Sequence, residues 1–373
     1  MKVFDRGQTP IKLSRFGGQD SGPLRAWDAA DELIIDYLRE QQLTPAKVLF
    51  VNDAFGALTL SRGDWLGETV IDSYCSHRAI QLNASANDLD PSGLHLLDSI
   101  QQMSREPKWV FIKIPKQLEL LEHQLLQLSE RVSATTKIVF GGMVKHTPKA
   151  IFDIAARWLC DVNVHRARRK ARLIEGEKLR VPTGYTFKTP SYSIPELNLS
   201  IASHPQLFSA GKLDHASRLL MTFFQARNET NVLDLGCGAG VLGLAYARLH
   251  ANASVSFTDE SKMALTKAEI NWRRNNFDPS RGFFQLDDCL ETHPRQHYDL
   301  ILCNPPFHHG HALDMSTARR MFNGAHQCLE SAGRLIVVAN RHLDHYRTLN
   351  RIFSSTKTLS EDPKFVVLES IKR

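Results

Sequence analysis

The chain lacks any stretch near the ~18 consecutive apolar residues that a membrane-spanning helix needs. Its opening, MKVFDRGQTP, holds no apolar core of the signal-peptide kind. No membrane partner and no secretion are expected; a cytoplasmic location is. Cysteine is sparse: Cys75, Cys160, Cys237, Cys289, Cys303 and Cys328 form no C-x-x-C pair and no regular ladder. That spacing argues against a disulfide framework or a zinc site and for reduced thiols. His308, His309 and His311 crowd one stretch, but their spacing is irregular and no acid or cysteine adjoins them. No metal is expected there; pocket lining, phosphate contact or a solvated loop fits these side chains better.

What is present is globular in character. A 42% hydrophobic and 23% charged share over 373 residues suits about two domains of ~100–200 residues each. The net charge of +6 is unevenly spread. The window 166–180 holds seven basic residues against Glu175 and Glu177. A concentrated basic stripe is the footprint of a nucleic-acid partner, with Arg166, Arg168, Arg169, Lys170 and Arg172 on phosphates. A strand edge guarded by charge is the plainer alternative.

The C-terminal half alternates strand and helix patterns, as a doubly wound α/β sheet does. Strands are expected at 231–235, 254–259, 283–288, 300–304 and 334–340, and helices at 241–250 and 262–274. A last strand at 364–370 would belong to a closing antiparallel pair. The N-terminal half echoes this plan. KVLFVNDAFGALTL (47–60) lies on NVLDLGCGAGVLGL (231–244) without gaps, with Gly56 opposite Gly240. Further matching sets Asp72 opposite Asp259, Ile114 opposite Asn304 and KIVFGG (137–142) opposite LIVVAN (335–340). Such an internal repeat indicates a duplicated domain. Phe50, Asn52 and Ala54 stand opposite Asp234, Gly236 and Gly238. The first copy keeps the apolar pattern and loses the polar corners, so it reads as decayed. The boundary is expected within VPTGYTFKTPSYSIP (181–195), giving domains 1–185 and 186–373.

Two motifs of the second half carry chemistry. DLGCGAGVLG (234–243) sits between a strand and a helix, where glycines let backbone approach a ligand closely. Residues 238–243 also satisfy G-x-G-x-x-G, with Asp259 following, so a dinucleotide site stays open. Asp234 and the earlier Gly236 make the pattern D-x-G-x-G-x-G instead. The second motif is LILCNPPFHHG (300–310). Pro305 and Pro306 lock φ and remove two donors, leaving a stiff, acceptor-rich corner. The Asn304 side-chain oxygen and the Pro305 carbonyl suit the NH2 of a planar ligand, with Phe307 as a stacking face.

Together these motifs resemble the class I S-adenosylmethionine (SAM)-dependent methyltransferases, and NPPF resembles those that methylate a nitrogen conjugated to a planar system. The resemblance implies an α/β fold of two tandem Rossmann-like methyltransferase domains. The N-terminal one would be degenerate and the C-terminal one a seven-stranded class I sheet. It also implies SAM as cofactor, with Gly236, Gly238, Gly240 and Asp234 beside the methionine part. Asp259 would meet the ribose hydroxyls, and Asp288, or else Asp287, the adenine amine. NPPFH (304–308) with HPQLFSAGKLD (204–214) is similar to the bacterial ribosomal RNA guanine-N2 methyltransferases. In that family the F-S-x-x-x-L-D stretch, here Phe208, Ser209, Leu213 and Asp214, closes over the cofactor. A plainer reading makes Asp214 a helix N-cap.

RFGGQDSGPLRAWDAADELI, VNDAFGALT, VANRHLDHYRTLNRIF and KFVVLESIK look like the branch acting on the large-subunit RNA, over nearly the full length. The chain departs where the family commonly carries Asn-Asn, at Asp287-Asp288. The implied reaction is methyl transfer to the exocyclic N2 amine of a guanine in 23S ribosomal RNA. Asn304, Pro305 and Phe307 would hold and stack the base, and His308 would face the RNA. Guanine in 16S RNA, adenine N6 and protein glutamine are the alternatives. A monomer is expected.

Overall fold

The computed structural model describes residues 1–5, 9–15, 25–41, 48–61, 67–306 and 315–373. It divides into two compact units, Met1–Lys188 and Thr189–Arg373. Among the described residues no helix is long and apolar enough to cross a membrane.

The second unit is built on Asn231–Leu235, Ser254–Asp259, Gly282–Leu286, Tyr298–Cys303, Leu329–Asn340, Ser355–Glu361 and Phe365–Ile371. Counted in chain order, these seven strands lie in the spatial order 3-2-1-4-5-7-6. The first five are parallel, and the last two close the sheet antiparallel, as expected from the sequence. Both faces are covered, so the strands read as near-continuous apolar runs. Val232, Leu300 and Leu302 pack towards helices His215–Met221, Val241–Leu249 and Lys262–Arg274. Leu233, Ile301 and Val337 pack towards Met315–Cys328 and His345–Ile352. Each such side chain contributes roughly 1.5–3 kcal/mol by leaving water. The strand order reverses between the first and fourth strands, and their carboxyl ends open a crevice there.

The first unit repeats the order 3-2-1-4-5-7-6 with Val48–Val51, Glu68–Val70, His95–Leu97, Trp109–Lys113, Lys137–Met143, Cys160–Val164 and Ala171–Glu177. The likeness reaches single residues. Asn52 (φ 69°) takes the left-handed conformation of Gly236 (φ 72°), and Gly56 (φ 85°) that of Gly240 (φ 82°). Asn83 bonds the backbone of Ser14 and Phe55, as Asn271 bonds that of Ala202 and Ala239. Asn87 and Asn275 bond Lys12 and Ser200 in the same way. An Asn-x-x-x-Asn clamp thus ties a two-stranded hairpin to the helix that follows the sheet's second strand in each copy; its first Asn also reaches the loop after the first strand.

Past that loop, the strand matching read from the sequence is corrected by one residue. Val48 pairs with Trp109 where Val232 pairs with Leu300. Counting on, Lys113 and not Ile114 stands at the position of Asn304. Val70 accepts the Asn52 N–H as Thr258 accepts that of Gly236. Ser73 and Ser261 then cap equivalent helices. Ile71 therefore stands at Asp259, and Asp72 at Glu260. The fifth strands shift likewise, Lys137 matching Arg334. A one-residue slip turns every side chain to the other face. Because both faces are apolar, the sequence alone does not resist that slip.

Candidate active site

Three glycines shape the crevice at the end of the first strand. Gly236, Gly238 and Gly240 have φ of 72°, 53° and 82°, a region that favours glycine. Gly236 and Cys237 donate to the Thr258 carbonyl at 2.9 and 3.0 Å, and Gly238 donates to Asp259 Oδ2 at 2.9 Å. Asp259 Oδ1 accepts the Ser261 N–H at 3.0 Å, so this acid ends its strand facing the glycine loop. Among the described residues beyond its chain neighbours, a Cβ on Gly238 would meet no atom within 4 Å, so the loop borders open space there.

Asp234 is only 1% exposed. Its Oδ2 accepts the Gly243 N–H at 2.8 Å, while Oδ1 is buried without a hydrogen-bond partner among the described residues. Burial pushes the carboxyl up to about 8 against the Gly243 N–H, and nearby Asp259 adds to the rise.

Across the crevice, Asn304 follows the fourth strand. Its Nδ2 donates to Ser217 Oγ at 3.1 Å, and its Oδ1 is buried with no hydrogen-bond partner among the described residues. A buried amide oxygen left unpaired is costly, and a donor supplied by a ligand would relieve it. Pro305 is buried behind it. Phe307 and His308, with His309 and His311, lie outside the described residues. Ser217 belongs to helix His215–Met221, and Asp214 caps that helix by accepting the Ser217 N–H at 3.1 Å.

Phe208, 70% exposed, lines a cleft of about 930 Å³ with Ser209, Lys212, Asp214, Arg218 and Asn340. Ser209 Oγ donates to the Lys212 carbonyl at 2.8 Å, closing its own turn. Asp288 is buried beyond the third strand, and its Oδ2 takes the Arg320 guanidinium. Asp287 accepts the N–H groups of Asp288 and Thr292 at 2.8 and 3.0 Å. Both carboxylates are thus engaged by the chain itself.

Residues 1–180 match the RLMG N-terminal domain, and residues 198–369 the methyltransferase small domain. A ribosomal RNA large subunit methyltransferase G of Yersinia pseudotuberculosis is 36% identical over 100% of this chain and 95% of its own. One of Aeromonas salmonicida is 35% identical over 100% and 99%. The chain belongs to the ribosomal RNA large subunit methyltransferase G family. The fold is shared with the 16S rRNA N2 G1207 methyltransferase (RsmC) of T. thermophilus, solved with AdoMet and guanosine. The TM-score is 0.76 at 23% identity, covering 98% of this chain and 96% of that one.

In this member of the family the first copy's crevice is filled from within. Lys113, at the Asn304 position, places Nζ 2.9 Å from Asp28 Oδ1 and 2.7 Å from Asp31 Oδ1. Asp53 accepts from the Gly56, Leu58 and Thr59 N–H groups and from Thr59 Oγ1. Asn52 and Gln124 exchange hydrogen bonds. Among the described residues, this unit holds no buried carboxylate or amide oxygen without a partner.

The basic stripe is less free than its composition suggested. Arg168 faces Glu40 at 3.6 Å, Arg169 bonds Asp36 at 2.9 Å, and Arg172 lies over the Phe152 ring. Arg166 and Lys170 are exposed. Sequence reasoning passed over Ser217, Lys113 and the asparagine clamp. Only the clamp left a readable trace, Asn-x-x-x-Asn at 83–87 and again at 271–275.

Proposed function

We propose that the chain methylates the exocyclic N2 amine of a guanine in large-subunit (23S) ribosomal RNA, with SAM as methyl donor. The observation that carries this reading is Asn304 Oδ1, a buried acceptor without a partner among the described residues, at the head of a proline-stiffened corner. The crevice residues fit SAM: among the described residues nothing beyond its chain neighbours lies where a Gly238 Cβ would project, and Asp234 keeps one oxygen without a partner for an amine or cation. Gly236, Gly238 and Gly240 would hold the methionine part, Asp259 the ribose hydroxyls, and Asp288, oriented by Arg320, the adenine end. Phe208 and Ser209 would border the same cofactor from the cleft.

SAM supplies an electrophilic methyl group and leaves as a neutral thioether. A guanine N2 amine is a poor nucleophile because its lone pair is delocalised into the ring. Asn304 Oδ1 and the Pro305 carbonyl would accept its two hydrogens, turn its lone pair towards the methyl group, and strengthen their hold as positive charge develops on nitrogen. Phe307 would stack the base and His308 would face the RNA backbone, each base–aromatic contact being worth roughly 1–3 kcal/mol. The target base must leave its stack to reach this corner, which looped RNA makes cheapest. Of the basic stripe, exposed Arg166 and Lys170 are the better phosphate contacts, with Arg168, Arg169 and Arg172 exchanging internal partners for RNA. The family match over the full chain supports the large-subunit RNA as substrate. The first copy, with no unpartnered buried carboxylate or amide oxygen among its described residues, would pack and hold RNA rather than bind SAM.

Tritium-labelled SAM offered separately with 23S RNA, 16S RNA, DNA and protein tests this. Label is expected only in 23S RNA, and nucleoside analysis should find it in N2-methylguanosine. Asn304→Ala should lower turnover at least a hundredfold while SAM affinity stays within about threefold, on the scale of removing one preorganised group. Label in 16S RNA or protein, or equal loss of SAM affinity, would overturn the reading.

A further inference from the structure

The orientation of the Asn304 carboxamide decides whether this corner can work at all. Its two ends are nearly isosteric, one accepting and one donating. With Oδ1 facing the crevice the corner accepts an amine; turned over, it would set NH2 against NH2. Among the described residues Nδ2 has one hydrogen-bond partner, Ser217 Oγ, 3.1 Å away. The Ser217 hydroxyl is not needed to cap its helix, because Asp214 already takes the Ser217 N–H.

The duplicated unit supplies an independent view of the same two positions. Asp28 caps Ala29–Glu40 as Asp214 caps His215–Met221, and each helix carries its contact residue three positions later: Asp31 in the first, Ser217 in the second. Lys113 stands at the Asn304 position by strand register. Asp31 Oδ1 lies 2.7 Å from Lys113 Nζ, and Ser217 Oγ lies 3.1 Å from Asn304 Nδ2. In the first copy the polarity cannot be reversed, since a Lys only donates and an ionised Asp only accepts. In the second copy Asn304 Nδ2 donates and Ser217 Oγ accepts, the same sense, held here by a hydroxyl that, unlike a carboxylate, can also donate. A contact conserved in place and polarity across two otherwise diverged copies is a feature of the architecture.

We propose that Ser217 is a positioning residue for the methyl transfer, holding Asn304 with Nδ2 turned back and Oδ1 presented to the acceptor amine. This rests on the function proposed above. It makes helix His215–Met221 part of the active site through its third residue, linking the cleft beside Phe208 to the amine corner.

Ser217→Ala should lower kcat at least tenfold, leaving SAM affinity, KM for RNA and the melting temperature near their wild-type values. Ser217→Thr, which keeps the hydroxyl, should restore kcat to within about threefold. In the Asn304→Ala background, Ser217→Ala should have no further effect, because the residue it orients is gone. A spectroscopic arm needs no turnover. The Asn304 side-chain NH2 resonances, identified by their loss in Asn304→Ala, should show slowed hydrogen exchange in the wild type and faster exchange in Ser217→Ala. Unchanged exchange and unchanged kcat in Ser217→Ala would overturn the proposal, as would equal damage in both backgrounds. A wild-type protein that transfers no methyl to RNA, yet shows the exchange difference, would sink the function while leaving the oriented amide standing.

Discussion

With burial holding the Asp234 carboxyl at about 8, the ligand-free protein keeps a proton in its crevice at neutral pH. The sign of the linkage follows. A carboxyl whose folded value lies above its unfolded value of 3.8 favours the folded state fully below 3.8 and loses that contribution as pH rises through about 8. Asp234→Asn removes the titration while keeping the shape and the acceptor for Gly243. Between pH 5 and about 8, wild-type melting temperature should therefore fall steadily relative to Asp234→Asn, and the difference should stay constant above that. Thermal melts of both proteins without ligand check this; parallel profiles would show that Asp234 does not carry the proton. A residue of this kind is half legible in sequence. The acid before the glycine loop was visible, but its charge state depends on Gly243, Asp259 and the loss of water, which only the fold brings together.

At the scale of strands and helices, the exchange of Asn304 for Lys113 turns one design into two. Where the second sheet presents an acceptor, the first presents an ammonium, held charged against burial by Asp31 and Asp28. Lys113→Met would leave the nearly buried Asp31 without its cation. Breaking such a pair costs roughly 3–5 kcal/mol. Burial already favours the protonated form of Asp31, so the loss should be smaller at pH 5 than at pH 8. Urea unfolding at both values tests this, and Lys113→Met/Asp31→Asn should recover part of the loss at pH 8. Destabilisation independent of pH would point to lost packing instead.

The strands themselves were legible: Asn231–Leu235 and Ser254–Asp259 form where the apolar runs place them. Their register across the duplication was not, because FIKIPK matches LCNPPF about equally well in two alignments one residue apart. The basic stripe was legible as charge but not as free charge. Its acidic partners, Asp36 and Glu40, sit on a helix more than a hundred residues away in sequence.

For the molecule as a whole, two sheets of one topology differ in whether their crevices are open or filled. Among the described residues, the unit Thr189–Arg373 has unpartnered acceptors at Asp234 and Asn304, whereas Met1–Lys188 satisfies the corresponding groups internally. A ligand that binds only the folded state stabilises it by about 2.7 kcal/mol at a hundredfold excess over Kd. Amides that exchange only when their own unit opens should then slow by about a hundredfold. Hydrogen exchange followed by mass spectrometry, with and without saturating SAM, should show that slowing along 231–243 and in the strands beside it. Residues 48–60 should exchange at the same rate in both conditions. Equal slowing across both units would mean that they open together. Protection at 52–56 beyond that of the rest of the first sheet would mean that the filled crevice binds cofactor after all, with Lys113 displaced from Asp28 and Asp31.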